Sequence, residues 1–193
     1  TDLDYYRPIT VLNTFYKVVT KTMVNALLPY VPFLVDKSQG AFISRRRIGD
    51  IIQIVLTTIE ECEYNNESLS LLFCDQAKAY DRVNHAFLFK IMTRMNMPES
   101  FIEMVKLLYT DNKLCIKVNG IKGKNFQIKN GVRQGCPLST LLYIIAVQPL
   151  ISRVNLNNNI FLSFGSFVVG TSMFVNTCMT WVIPFVARAF VKL

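Results

Sequence analysis

Acidic residues run out early in this chain. Asp111 is the last of them, and Asn112 to Leu193 contains neither Asp nor Glu. Chemistry that needs a carboxylate must therefore draw it from the first part of the sequence. Histidine is almost absent, with His85 alone. The five cysteines, Cys62, Cys74, Cys115, Cys136 and Cys178, are scattered without close pairing. A zinc cluster of the usual spacing is thereby excluded, and buried or free thiols in a reducing, intracellular compartment are the better reading. The first residue is Thr1, with no basic n-region and no apolar h-region behind it, so no signal peptide is expected and the chain reads as a fragment. Between Arg153 and Arg188 there is no Asp, Glu, Lys, Arg or His at all.

What is present is enough for a core. Of the 193 residues 51% are hydrophobic and 12% aromatic, which excludes disorder and suits one domain or slightly more. A net charge of +8 favours a polyanionic partner, although membrane surfaces and plain solubility are also consistent with it. The uncharged stretch supports two readings. Residues 160–187 are long enough to span a bilayer, with Arg188 and Lys192 marking a cytoplasmic side. Gly165, Gly170, Pro184 and several Ser, Thr and Asn interrupt it, which suits a hydrophobic tail that did not evolve with the preceding domain.

The pattern before that stretch is mixed α and β, without repeats. Apolar residues from Val11 to Met23 recur at helical spacing, predicting a helix over Val11 to Leu28 with one buried face, stopped by Pro29 and Pro32. Ser38 to Arg47 reads as a basic loop ahead of a second helix whose stripe runs from Ile48 to Ile59. After a polar exit rich in Glu, Leu69 to Cys74 reads as a short buried strand with Asp75 at its end. Asn84 is a helix cap, Pro98 opens a further helix, and Asn119-Gly120 marks a hairpin whose return strand starts late, at Phe126. The loop GVRQGCPLS, Gly131 to Ser139, then feeds an apolar helix from Thr140 to Ser152.

Two places carry chemical signals. In FCDQAKAYD, Phe73 to Asp81, Asp75 stands where a hard divalent cation finds carboxylate and backbone oxygens, but an Asp ending a strand is also a common cap or turn former. Asp81 suits a structural role beside the Asn84 cap. Lys78 and the triplet Arg45, Arg46, Arg47 suit phosphate as well as they suit a solvated face. His85, next to the cap and without a partner, is not a catalytic base. Gln134-Gly135, in a tight loop before a helix, is placed to offer backbone N–H groups to an anion, a weak signal by itself.

Four segments in order give these signals a context: YRPITVLNTFYKVVTK (Tyr6 to Lys21), SQGAFISRRRIGDII (Ser38 to Ile52), LLFCDQAKAYDRVNH (Leu71 to His85) and NGVRQGCPLSTLLYIIAVQPL (Asn130 to Leu150). Through them the chain resembles the reverse transcriptase domain of LINE-type, non-LTR retrotransposons, over Tyr6 to Arg153. The resemblance implies an α+β fold, the fingers and part of the palm of a right-hand polymerase, with mixed helices and a small antiparallel sheet. Residues 1–68 would be fingers-like, 69–153 a partial palm and 154–193 the hydrophobic tail. It implies an RNA-directed DNA polymerase that uses magnesium or manganese, an RNA template, a DNA primer and deoxynucleoside triphosphates.

The resemblance also assigns roles. Asp75 matches the first catalytic aspartate, with the carbonyl of Gln76 as a further metal ligand. Tyr80 packs under the incoming sugar and rejects a 2′-hydroxyl, Gln134 and Gly135 contact nucleotide and template, and Arg46 and Arg7 match arginines of the fingers and N-terminal motifs. The family completes its metal site with a paired-aspartate, YADD-like hairpin after the Gln-Gly loop. With no carboxylate after Asp111 that hairpin is missing, and the expectation is a chain truncated before it and inactive alone. Arg45-Arg46 stands where Gly-Arg is frequent, and Thr140 where proline is common. A non-catalytic nucleic-acid-binding remnant and a membrane-associated protein through 160–187 are the alternatives.

Overall fold

The computed structural model describes residues 9–40, 42–67, 69–71 and 73–155, together with the backbone of strands at 164–167, 176–180 and 191–192. The chain forms two compact units. One comprises Thr1–Ala26 and Lys78–Val147, the other Leu27–Ala77 and Gln148–Leu193.

In the first unit, helix α1 (Thr14–Leu27) begins where Asn13 Oδ1 accepts the Phe15 N–H at 2.8 Å. From Thr20 onward it buries Thr20, Met23 and Val24, whereas Phe15 and Val18 are exposed. The expected single buried face thus exists over only the second half of the apolar stripe. A short 3-10 turn (Ala79–Arg82) leads to helix α4 (His85–Arg94), and helix α5 (Glu99–Tyr109) packs on α4. Helices α2 (Val31–Leu34) and α3 (Ile48–Asn65) belong to the second unit. Asn84 caps α4 as its residue type predicts, its Oδ1 accepting the Phe87 N–H at 2.9 Å. The i, i+3, i+4 stripe buries Leu88, Ile91 and Met92, and α5 answers with Ile102, Val105 and Tyr109. Each fully buried aliphatic side chain of this set contributes about 1.5–3 kcal/mol relative to exposure.

Between α5 and the next helix lies a doubled hairpin, with β3 (Lys113–Leu114) paired to β6 (Phe126–Gln127) and β4 (Lys117–Val118) to β5 (Ile121–Lys122). Asn119 and Gly120 both have positive φ, 48° and 85°, as a two-residue primed turn requires. The return strand therefore starts immediately, at Ile121 rather than late. Helix α6 (Ser139–Asn155) buries Leu141, Leu142, Tyr143, Ile144 and Ile145 and crosses into the second unit after Val147, with Pro149 inside it.

In the second unit, α2 (Val31–Leu34) is a single turn started by the Pro32 that ended α1's pattern, and α3 (Ile48–Asn65) starts where the Asp50 side chain accepts the Arg47 N–H at 3.2 Å. The α3 stripe Ile51, Val55, Ile59 and Cys62 is only half-buried, and α3 lies against the later strand β7 (Phe164–Phe167). Strands β1 (Ser70–Leu71) and β2 (Phe73–Asp75) follow. An antiparallel sheet of order β2-β8-β7 combines β2 with a hairpin made of β7 (Phe164–Phe167) and β8 (Asn176–Thr180), while β9 (Val191–Lys192) pairs with β1. Two stretches of the uncharged tail are thus antiparallel strands, not turns of one long helix. The rest of 160–187 lies outside the described residues, among which no helix is long and apolar enough to cross a membrane. This is an α+β chain with small antiparallel sheets.

Candidate active site

The sequence-predicted residues divide between the two units. Tyr80, Gln134 and Gly135 belong to the first, and Asp75, Gln76 and Arg46 to the second. Arg7 lies outside the described residues.

In the first unit, two motif segments distant in sequence are held as one piece. The Val132 N–H donates to the Tyr80 carbonyl at 2.8 Å and the Gly131 N–H to the Val83 carbonyl at 2.7 Å, while Asn84 and Asn130 form an isolated β-bridge. His85 Nε2 lies 2.8 Å from the Gly131 carbonyl, and since a carbonyl only accepts, this nitrogen carries the proton. His85 therefore has a partner after all, and a structural one. Gly131 is required by two facts together. Its φ is +91°, and a Cβ there would lie 3.0 Å from both the Cα and the carbonyl oxygen of Asp81. Asp81 thus serves as backbone for the glycine to pack on, in line with the structural role expected of it.

Tyr80 is fixed at its other end. Its hydroxyl donates to Thr140 Oγ1 at 3.0 Å, and its ring meets that of Tyr143 at a centroid distance of 5.2 Å. Burial raises the phenol's pKa, with the Thr140 hydrogen bond opposing it. A proline at position 140 would leave this hydroxyl without its acceptor. Sequence reasoning missed the pairing because 60 residues separate the partners. The Gln134 carbonyl accepts the Thr10 N–H at 3.0 Å, and a Cβ on Gly135, whose φ is +102°, would lie 3.0 Å from the Thr10 carbonyl. The Gln-Gly loop is therefore strapped on both sides.

Behind it, the Arg133 guanidinium lies 4.7 Å from the Tyr16 ring centroid and 5.8 Å from that of Tyr109, and it donates to Asn112 Oδ1. Burial, with the Cys136 thiol adding and Arg133 opposing, pushes the Tyr16 hydroxyl up to about 12. Tyr109 is raised further, also chiefly by burial. A shallow groove of about 400 Å³ adjoins Pro137 and carries Lys17 and Lys21 of α1.

In the second unit, Arg46 braces its own loop. Its Nη1 donates to the carbonyls of Asp36 and Gln39, at 2.5 and 2.6 Å, and its Nη2 to that of Val35 at 3.4 Å. Asp36 closes the same loop by accepting from both the N–H and the hydroxyl of Ser38, at 2.9 and 2.8 Å, and its own N–H donates to Gln148 of α6 at 3.1 Å. The resemblance gave Arg46 to the nucleotide; in this structure its guanidinium holds three backbone carbonyls.

Asp75 ends β2, with Cys178 of β8 at the opposing register position. A hairpin does stand beside the Asp75 strand, which the sequence did not reveal because its members lack clear alternation. None of the residues of β7 or β8 is acidic. No group of three His, Cys, Asp or Glu able to hold a metal occurs among the described residues. Hard divalent cations take six or more oxygens, and Asp75 with the Gln76 carbonyl supplies at most a few. The residue set does not fit a two-ion site.

The comparisons with known proteins agree with the motif order. Residues 2–168 match the family described as reverse transcriptase (RNA-dependent DNA polymerase), a match that runs past Arg153 into β7. The chain is 30% identical over 76% of its length to the transposon TX1 uncharacterized 149 kDa protein of Xenopus laevis, covering 11% of that protein. It is 29% identical over 75% of its length to the RNA-directed DNA polymerase from mobile element jockey of Drosophila melanogaster, covering 16%. A Pol polyprotein from the type-1 retrotransposable element R2 of Nasonia vitripennis matches at 23% over 89% of this chain and 16% of its own. The chain thus spans between about a tenth and a sixth of these relatives. With the matched region, the motif order and these relatives in agreement, the chain belongs to the reverse transcriptase family, as a domain of the non-LTR retrotransposon type.

Proposed function

We propose that this chain carries the nucleotide-side half of an RNA-directed DNA polymerase site and one carboxylate of its metal half, and that this polypeptide alone does not polymerise. Tyr80 is the sugar gate: a bulky ring under the incoming deoxyribose excludes a 2′-hydroxyl by volume. Gln134 and Gly135 line the nucleotide and template. The observation that carries this reading is the strap joining the Gly131 loop to Tyr80, because it holds two motif segments in fixed relation before any ligand arrives. Divalent ions are the family's cofactor class, and magnesium or manganese suits the oxygen ligands of Asp75 and Gln76. One carboxylate does not hold a pair of ions.

Binding of deoxynucleoside and ribonucleoside triphosphates, followed by fluorescence, tests the gate. Wild-type protein should prefer the deoxy form, and Tyr80→Ala should erase the preference; equal binding of both by the wild type would sink the assignment. Primer extension on an RNA template with magnesium or manganese should give no product. Product that disappears on Asp75→Ala would show that the metal half is complete.

A further inference from the structure

The doubled hairpin at 113–129 belongs to neither half of that site. Every residue from Cys115 to Gln127 is exposed, so neither face of the ribbon is covered, and an isolated two-stranded ribbon is marginally stable in water. It carries Lys113, Lys117, Lys122, Lys124 and Lys129 and no acid. Asp111 neutralises Lys113 at 3.0 Å from just outside. Lys117 and Lys122 are Cα partners in the β4–β5 ladder, so they stand directly opposite each other on one face, with Val118 and Ile121 on the other. Like charges directly opposed destabilise a ladder that has little else to hold it. The arrangement makes physical sense when an anion lies across the pair.

We propose that this ribbon binds the phosphodiester backbone of single-stranded nucleic acid, without regard to sequence, through Lys117, Lys122 and Lys124. Charge complementarity carries the choice. A polynucleotide strand offers one anionic group per residue at regular intervals, which matches a fixed pair of ammonium groups with compact, strongly hydrated heads. The family is one of RNA-dependent DNA polymerases, for which RNA and DNA are the polyanions at hand. None of Lys117, Lys122 and Lys124 is among the residues assigned to the polymerase site, and the contact needs no metal ion.

Fluorescence anisotropy of a labelled oligouridylate of about 20 nucleotides, titrated with the full chain between about 50 and 200 mM salt, tests it. The triple variant Lys117→Ala, Lys122→Ala, Lys124→Ala should bind more weakly, and its slope of log affinity against log salt should be shallower by about 2, from about 0.7 per lost phosphate contact. A charge-matched variant at exposed positions elsewhere, Lys37→Ala, Lys90→Ala, Arg94→Ala, should lose less, and Lys117→Arg with Lys122→Arg should keep binding. Lys117→Thr with Lys122→Thr should raise the thermal midpoint while weakening binding, which separates this role from a structural one. Oligothymidylate should bind comparably. The proposal is overturned if the wild type does not bind, if the two triple variants lose affinity equally, if RNA alone is bound, or if polyglutamate competes as well as RNA at equal charge. The ribbon triple variant should keep the wild type's preference for deoxynucleoside triphosphates, so failure of the polymerase reading and failure of this one are read separately.

Discussion

The two units treat their motif residues in opposite ways. In the first, Tyr80 and the Gln134–Gly135 loop are over-determined: hydrogen bonds from Val132, Gly131 and Thr10, a histidine on the Gly131 carbonyl and two glycines without room for a Cβ all specify one arrangement. In the second, the strand bearing Asp75 is placed by backbone pairing with β8, whose residues bring no carboxylate to it. On the proposed reading, positioning a nucleotide depends on shape and backbone, and the first unit fixes both around Tyr80 and Gly131. Holding ions depends on the identity of a few acids, and β8 sets none of them opposite Asp75.

Substitutions at the glycines should break this contrast most severely. Gly131→Ala should lower unfolding free energy by about 3 kcal/mol, since an L-residue at that φ is strained and its Cβ meets backbone that cannot swing away. Gly120→Ala shares the positive φ but has open space around it, and should cost only about 1 kcal/mol. Chemical denaturation compares the two, and equal losses would show that the strap is not what Gly131 serves.

Arg46→Ala tests the second unit. Removing a cation that satisfies three carbonyls should cost about 2 kcal/mol, with Arg46→Lys recovering part of it, as read by the denaturation midpoint. No change in the midpoint would return Arg46 to a purely ligand-facing role. Thr140→Val should cost about 1 kcal/mol, because it leaves the Tyr80 hydroxyl without its acceptor, and Tyr80→Phe in the same background should add little more. Additive losses would mean that the two side chains do not share this bond.

The smallest effect is expected from alkali. Tyr16 has a folded pKa near 12 against an unfolded value of 10.0, so the folded state holds its proton longer. Its contribution is fully present below pH 10, and stability should fall as pH rises from there through about 12. Tyr16→Phe should flatten that part of the profile in pH-dependent thermal melts; an unchanged profile would assign the loss to other groups.

Much of the scaffold was legible because it rests on local rules. Asn84 caps α4, the Leu88, Ile91, Met92 stripe is its buried face, and Asn119-Gly120 makes its turn for reasons contained within a few residues. Other features were illegible for an equally definite reason. Phe15 and Val18 continue the stripe of α1 yet face solvent, since periodicity says which residues share a face and not what covers it. The Tyr80–Thr140 bond, the Arg46 brace and the pairing of β2 with β8 depend on contacts across 7 to more than 100 residues.

By itself, the sequence determined the family, through the order of four motifs, and the shortage of carboxylates, through a composition that no folding can change. Tertiary structure alone decided which side chain each functional group answers to. Arg46 turned to backbone carbonyls, His85 to a glycine's carbonyl, Tyr80 to a threonine where proline is common, and Lys117 to a position facing Lys122. Hydrogen bonds and charge pairs act over a few ångströms, and only the folded chain brings residues that far apart in sequence within that range.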